Sequence, residues 1–439
     1  MQILKKNSLA LFGGKPLRKK LFPGHYIIGN HEKKAINKFI DSKKDLSGFL
    51  GGWNNKFYGG EKVKEFEKKW SEYINCKYTV TFNSNTSGLC AAVGAAGIGP
   101  GDEVIVTPYS MSATATSIIS YQGLPVFCDI DPVTFCLDPK EVVKKITKRT
   151  KAIMTTAVFG HPSDMDKLMK IAKKYKLVVI EDAAQAPGAI YKNKMLGSKA
   201  HMSVFSLNVH KHIHSGEGGM VTTNYSKFSR KLQLIRNHAE AVVDGNNQKD
   251  IVNCVGFNLR FTEIQAVIAL EQLKKLPELL DQRIKNANYL SKNLAQIPGI
   301  IPAHVQKNCK HVYYVQPFLI KKEILGLDRN RFIEAVSKEL PTSEDRLEDH
   351  LISVGFTKPL YMLPMYQRKI AYGKKGWPFT YDKTSMKINY SKGICPVTEN
   401  IENNEIFIND FIRPPATLDD MKDVVNAFFK VYENLQQFK

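Results

Sequence analysis

From about residue 76 to residue 225, short β-branched runs alternate with helical ones, and this alternation constrains the fold more than any other feature of the chain. Strands joined by helical crossovers pair in parallel and need cover on both faces. The pattern therefore predicts an α/β architecture, with a mainly parallel central sheet of about seven strands and helices on both faces. The expected strands are Tyr78–Phe82, Glu103–Val106, Pro125–Asp129, Ala152–Ala157, Leu177–Asp182, Ser203–Leu207 and Gly219–Thr223. Between two of them, Ser163 opens a Ser-x-x-Asp capping box ending at Asp166, and Met165, Leu168, Met169 and Ala172 follow at helical spacing. A second helical block begins at Thr262 with Ile264, Val267, Ile268 and Leu270 on one stripe, and Pro277 is expected to restart the chain as a further helix.

After residue 286 the order changes to helix, the strand-like HVYYVQPFLI, helix, a Pro- and Tyr-rich loop, and a closing helix from about Leu418. This predicts a smaller C-terminal α+β domain. The expected organisation is an N-terminal segment over 1–30, a large domain over 31–285 and a small domain over 286–439. With 439 residues at 43% hydrophobic, the chain has apolar material for both bodies. No apolar run reaches the roughly 18–20 residues of a membrane helix, and the apolar stretch at the start is too short for a secretory signal. A cytoplasmic protein with no membrane partner is expected.

The seven cysteines are odd in number, scattered and without a CxxC pair, which argues against a disulfide framework or a thiolate zinc site. The net charge of +21 comes mostly from lysines spread along the chain, and no nucleic-acid-binding motif accompanies it. It reads as a lysine-rich solvated surface or as help in attracting a phosphorylated substrate.

Three segments carry candidate chemistry. Ser84-Asn85-Thr86-Ser87-Gly88 follows a strand and opens a small-residue helix, so its backbone N–H groups suit a phosphate, although a plain N-cap turn has the same composition. Asp182 ends the apolar strand LVVIED, where parallel sheets bind ligands; it faces a cofactor or caps a helix. A carboxylate beneath a pyridine nitrogen keeps that nitrogen protonated. Finally, Ser206 ends a strand, Lys211 follows, and the glycine-rich Ser215–Gly219 turn lets the backbone pass close to a bulky group. His210, His212 and His214 would share a side only on a strand, and the glycines argue against one, so no metal site is expected.

In this order and at this separation, the segments resemble the DegT/DnrJ/StrS family of sugar aminotransferases, a branch of the fold-type I pyridoxal-phosphate enzymes. The likeness spans nearly the whole chain and includes GIGPGDEVIVTPYSMSATA, FGHPSDMDKLMKIAKKYKLVVIEDAAQAPGA, FSLNVHKHIHSGEGGMVTT and GFNLRFTEIQAVIALEQL. The resemblance implies Lys211 as the Schiff-base lysine, Asp182 as the partner of the pyridinium and Gln185 near the phenolic oxygen. Phosphate binding falls to Asn85, Thr86, Ser87 and Ser206. It also implies a homodimer with shared sites, in which Asn258 reaches the phosphate of the neighbouring subunit. Asn85 and Ser87 stand where Gly and Ala are common, and Pro187 stands where His is frequent. Met111 replaces the usual stacking aromatic, a place that a polarizable thioether can fill.

The implied reaction takes an amino group from glutamate or glutamine to a keto-sugar, expected to be nucleotide-linked, in amino-sugar biosynthesis. Two alternatives stay open. A SMSAT-like stretch resembles members acting on free cyclitol ketones, and related dehydratases carry His in place of the lysine, which His210 or His212 would supply after a one-residue slip. Specificity is expected in the loops Phe22–Asn55, Val242–Asn253 and Thr357–Tyr381.

Overall fold

A computed structural model describes residues 8–245, 248–347 and 349–438. Residues 1–7 of the expected N-terminal segment and 246–247 of the loop Val242–Asn253 lie outside the described residues. The main sheet has seven strands: β1 (Tyr78–Phe82), β2 (Glu103–Val106), β3 (Leu124–Phe127), β4 (Thr150–Thr156), β5 (Val178–Asp182), β8 (Met202–Ser206) and β9 (Gly219–Thr223), with the hairpin β6 (Ile190–Tyr191) and β7 (Lys194–Met195) set apart from it. Their order is β1-β9-β8-β5-β4-β2-β3, and all but β9 run in one direction, β9 being antiparallel to both β1 and β8.

Side chains alternate between the faces, as the strand period requires. Val104, Val106, Ile180 and Val204 enter one core, which takes in residues of α3 (Asn85–Ala95), α4 (Ala113–Ser120) and α7 (Ser226–Arg236). Ile105, Val179 and Phe205 point the other way, toward cores that include α2 (Glu61–Ile74), α6 (Met165–Tyr175) and α8 (Glu263–Leu294). The second sheet is antiparallel throughout, in the order β10 (Ile300–Pro302), β11 (Gln316–Ile320), β13 (Ile406–Asn409), β12 (Ile352–Val354). It is backed by the helices Arg329–Glu339 and Leu418–Glu433. The segment between β12 and β13 crosses back: Tyr361, Tyr366 and Tyr390 pack around Phe127 of the large sheet.

Three local expectations are corrected. The third strand stops at Phe127, because Asp129 accepts hydrogen bonds from Val397 N–H, Thr398 N–H and the Thr398 hydroxyl, capping a short helix instead of continuing the ladder. The cap of α6 is Asp164, whose carboxylate accepts from Lys167 N–H. Ser163 is buried and spends its hydroxyl on Thr155 and the Thr156 carbonyl, while Asp166 pairs with Lys192 and Lys199. Third, Pro277 does not restart a helix. It lies inside the single helix α8, because Leu270, Leu276, Leu280, Ala287 and Leu290 continue one buried stripe across it, and this packing outweighs the lost backbone hydrogen bond.

At the start of α8, Thr262 and Gln265 form a capping box. Glu263 is buried and serves a different helix, its two oxygens accepting from Lys62 N–H (3.0 Å) and Val63 N–H (2.8 Å) in the first turn of α2. Glu263→Ala leaves those donors unsatisfied and is expected to lower stability by about 1–3 kcal/mol, measured by denaturant unfolding.

Candidate active site

Because β1, β4, β5 and β8 run the same way, their last residues Phe82, Thr156, Asp182 and Ser206 reach one edge of the sheet, where open α/β sheets bind ligands. α3 starts at this edge. Its N-cap Ser84 accepts Ser87 N–H on its hydroxyl (3.1 Å), and Gly88 N–H goes to the Ser84 carbonyl. The N–H groups of Asn85 and Thr86, the first two of the helix, have no intrahelical acceptor and point a positive dipole end outward. Gly219 lets β9 pass directly beneath: a Cβ there would sit 2.5 Å from Asn85 N and 2.6 Å from the Ser84 carbonyl oxygen. Ser206 pairs with Gly219 across the ladder, and its hydroxyl oxygen accepts from Asn208 N–H, leaving the hydroxyl proton to donate.

Asp182 is buried. One carboxylate oxygen accepts the Thr114 hydroxyl at 2.6 Å, and the other accepts Ala184 N–H at 3.2 Å. Burial pushes its pKa above the ordinary aspartate value, while the Thr114 and Ala184 hydrogen bonds, the Lys211 charge and the Asn85 amide pull the other way. Its neighbour Glu181 faces the opposite side, bonded by Ser203, and burial pushes it up to about 7.

The loop after β8 is held at its base by Leu207 N–H to the Gly218 carbonyl and Ser215 N–H to the Leu207 carbonyl. Within it, Lys211 N–H donates to the Asn208 carbonyl, forming a turn. The Lys211 side chain is half-buried and places Nζ 4.2 Å from the centroid of the Tyr314 ring. That ring is fixed from its backbone: Tyr314 N–H donates to the Phe159 carbonyl (2.7 Å), and the buried Arg283 donates to the carbonyls of Tyr313 and Tyr314. The neighbouring histidines have other partners. His210 is exposed, His212 is buried with Nε2 donating to the Val312 carbonyl, and His214 Nδ1 accepts Gly216 N–H.

The remaining residues singled out in the sequence are distributed around this edge. Asn85 commits its amide to the Val204 carbonyl, Thr86 is exposed, and Ser87 bonds Ser84 through both its N–H and its hydroxyl. Gln185 is buried, and its carbonyl oxygen accepts Phe159 N–H at 2.6 Å, which fixes the amide and directs its N–H groups elsewhere. Met111 is 66% exposed, free to lie over whatever occupies the edge. Asn258 is also exposed, on a stretch that pairs through Asn237 and carries the exposed Val255 and Phe257.

Sequence reasoning missed Thr114, Ser110, Thr156 and Tyr314. Their signals were present: Ser110 and Thr114 stand four apart in YSMSAT, and Thr156 ends the strand beside Asp182, directly across the ladder from it. Hydroxyl residues are common enough that only the fold distinguishes these.

An exposed helix N-terminus for a phosphate, a buried carboxylate, a primary amine and an exposed thioether fit a phosphorylated pyridine aldehyde. The close approach at Gly219, where a side chain would fill the cradle, is independent support for an anion held by backbone. The model of the DegT/DnrJ/EryC1/StrS aminotransferase family matches residues 51–428. The chain is 34% identical to GDP-perosamine synthase of Caulobacter vibrioides over 70% of its own length and 79% of that protein's. It is 29% identical to an L-glutamine:2-deoxy-scyllo-inosose aminotransferase of Streptomyces lividus, covering 97% of each. Among solved structures, NtdA of Bacillus subtilis with bound cofactor PMP superposes with a TM-score of 0.75 at 25% identity, covering 96% of this chain and 87% of that one. With the family model spanning most of the chain and the fold agreeing, this protein belongs to the DegT/DnrJ/EryC1/StrS aminotransferase family and is a fold-type I, pyridoxal-phosphate-dependent aminotransferase.

Proposed function

We propose that the enzyme carries an amino group from glutamate or glutamine to the keto carbon of a nucleotide-linked sugar, with Lys211 and Asp182 as its catalytic residues. The observation that carries the reading is the meeting, at one sheet edge, of Lys211, Asp182 and the open N-terminus of α3. When bound, pyridoxal phosphate supplies an electrophilic carbonyl and a ring that accepts the electron pair left at a deprotonated carbon.

The protein's own residues do the rest. Asn85 N–H, Thr86 N–H and the Ser206 hydroxyl would hold the phosphate, Met111 would cover the ring and the Gln185 amide would donate to the phenolic oxygen. Asp182 would accept the ring N–H and keep that nitrogen protonated. Lys211 Nζ would anchor the cofactor through its carbonyl carbon and, as a free amine, would take the proton from the donor's α carbon and deliver it again. The placement of the histidines supports transfer over dehydration, since His210 points to solvent and His212 is committed to Val312. The GDP-perosamine synthase relative supports a nucleotide-linked ketone. The aminotransferase from Streptomyces lividus, matched over nearly the whole chain, supports a cyclitol as the second reading. We also infer a homodimer in which the exposed Asn258 completes the partner's phosphate site, with Val255 and Phe257 beside it at the interface.

Borohydride treatment of cofactor-loaded protein should fix the label on the Lys211 peptide. Lys211→Ala should lower transfer from glutamate or glutamine at least roughly 10²–10⁴-fold. A label elsewhere, or retained turnover, would refute the assignment. Turnover with nucleotide-linked keto-sugars but not with free cyclitol ketones decides the acceptor. Mixing Lys211→Ala with Asn258→Ala protomers should restore activity through the one intact shared site of each mixed dimer; mixtures no more active than their parents would rule sharing out.

A further inference from the structure

We propose that Thr156, Ser110 and Thr114 form a directed chain of hydroxyls that positions and polarises the Asp182 carboxylate toward the cofactor's ring nitrogen, making Thr114 a positioning residue for amino transfer. The inference rests on the reading of Asp182 as partner of that nitrogen.

The direction of the chain follows from proton counting. Thr114 Oγ1 lies 2.6 Å from Asp182, and a carboxylate only accepts, so the Thr114 proton is spent there. The contact between Ser110 and Thr114 at 2.8 Å must then use the Ser110 proton, and Thr156, 3.3 Å from Ser110, donates in turn. Three O–H dipoles thus point the same way and end on one oxygen. Aligned hydrogen bonds strengthen one another, and all four residues are buried, where little solvent screens them.

Ordinary burial of hydroxyls does not account for the arrangement. Serines and threonines on helices commonly bond a carbonyl three or four residues back, and the other hydroxyls of α4 do so: Thr116 to Ser112, Ser117 to Thr114 and Ser120 to Ser117. Thr114 instead turns its hydroxyl to Asp182, and Ser110 turns its own to Thr114. The register supports this, since Thr156 is the direct neighbour of Asp182 across β4 and β5. The other carboxylate oxygen accepts the longer Ala184 bond at 3.2 Å, and its second lone pair gives it acceptor capacity for the ring N–H.

Removing the Thr114 proton makes Asp182 a stronger base and draws the shared proton from the ring onto the carboxylate. The covalent Lys211–cofactor nitrogen then holds its own proton more tightly. In Thr114→Val holoenzyme, the absorbance midpoint of the Lys211–cofactor adduct is therefore expected to rise on the order of one pH unit. The turnover number is expected to fall about tenfold at unchanged KM for the ketone. Thr114→Ser should restore both, which a purely structural role for the side chain would not require. Ser110→Ala breaks the second link and should shift the midpoint the same way by less; it carries the test if Thr114→Val does not fold. Asp182→Asn serves as the reference. If it moves the midpoint while neither hydroxyl variant does, the chain is refuted and the reading of Asp182 stands. If Asp182→Asn leaves the midpoint in place, both fail.

Discussion

A carboxylate buried at the end of a central strand is costly unless its oxygens are bonded, and the site is organised around that cost at Asp182. Thr114 and Ala184 supply two of the needed donors from within the protein. To place Thr114 there, α4 must begin just beyond β2, and to bring Thr156 alongside, β4 must end level with β5. Parallel strands make both alignments natural, because every strand brings its last residue to the same edge.

The antiparallel strand β9 adds what a purely parallel sheet would lack. By pairing with β1 and β8 together, it places the loop that carries Lys211 beside the start of α3. The amine and the open helix terminus therefore come from segments far apart in sequence but adjacent in the sheet. Glycine at 219 is what allows the strand and the helix turn to approach so closely.

Much of this was legible in the sequence. The seven strands stand where β-branched runs predicted them, because strands buried on both faces leave a dense apolar signal. Asp182 and the Ser84–Gly88 turn stood out because each lies at the end of a strand, where composition changes abruptly, whereas Lys211 was singled out by the resemblance of its surrounding segment to a family. What was missed has a physical reason. Ser163 and Asp164 are equally good caps on paper, and the choice between them depends on the buried carbonyl of Thr156 that claims Ser163. Pro277 reads as a boundary because local propensity disfavours it inside a helix, whereas packing on both sides of it decides otherwise. Thr114 meets Asp182, and Tyr314 meets Lys211, across more than sixty residues of sequence, and no local pattern marks such contacts.

The unbroken course of α8 has a mechanical meaning. At 32 residues it is about 48 Å long. Along its length Gln272 holds the Ile27 carbonyl and Glu32, Arg283 holds the backbone beneath Tyr314, and Asn286 holds the carbonyls of Ile412 and Ala416. A helix anchored at so many points joins segments that are far apart in the sequence. Ala287, Leu290 and Leu294 of its last turns sit in the core of the second sheet, and Gln316 donates to the Ala287 carbonyl, so that sheet is tied to the same helix that holds the backbone at Tyr314.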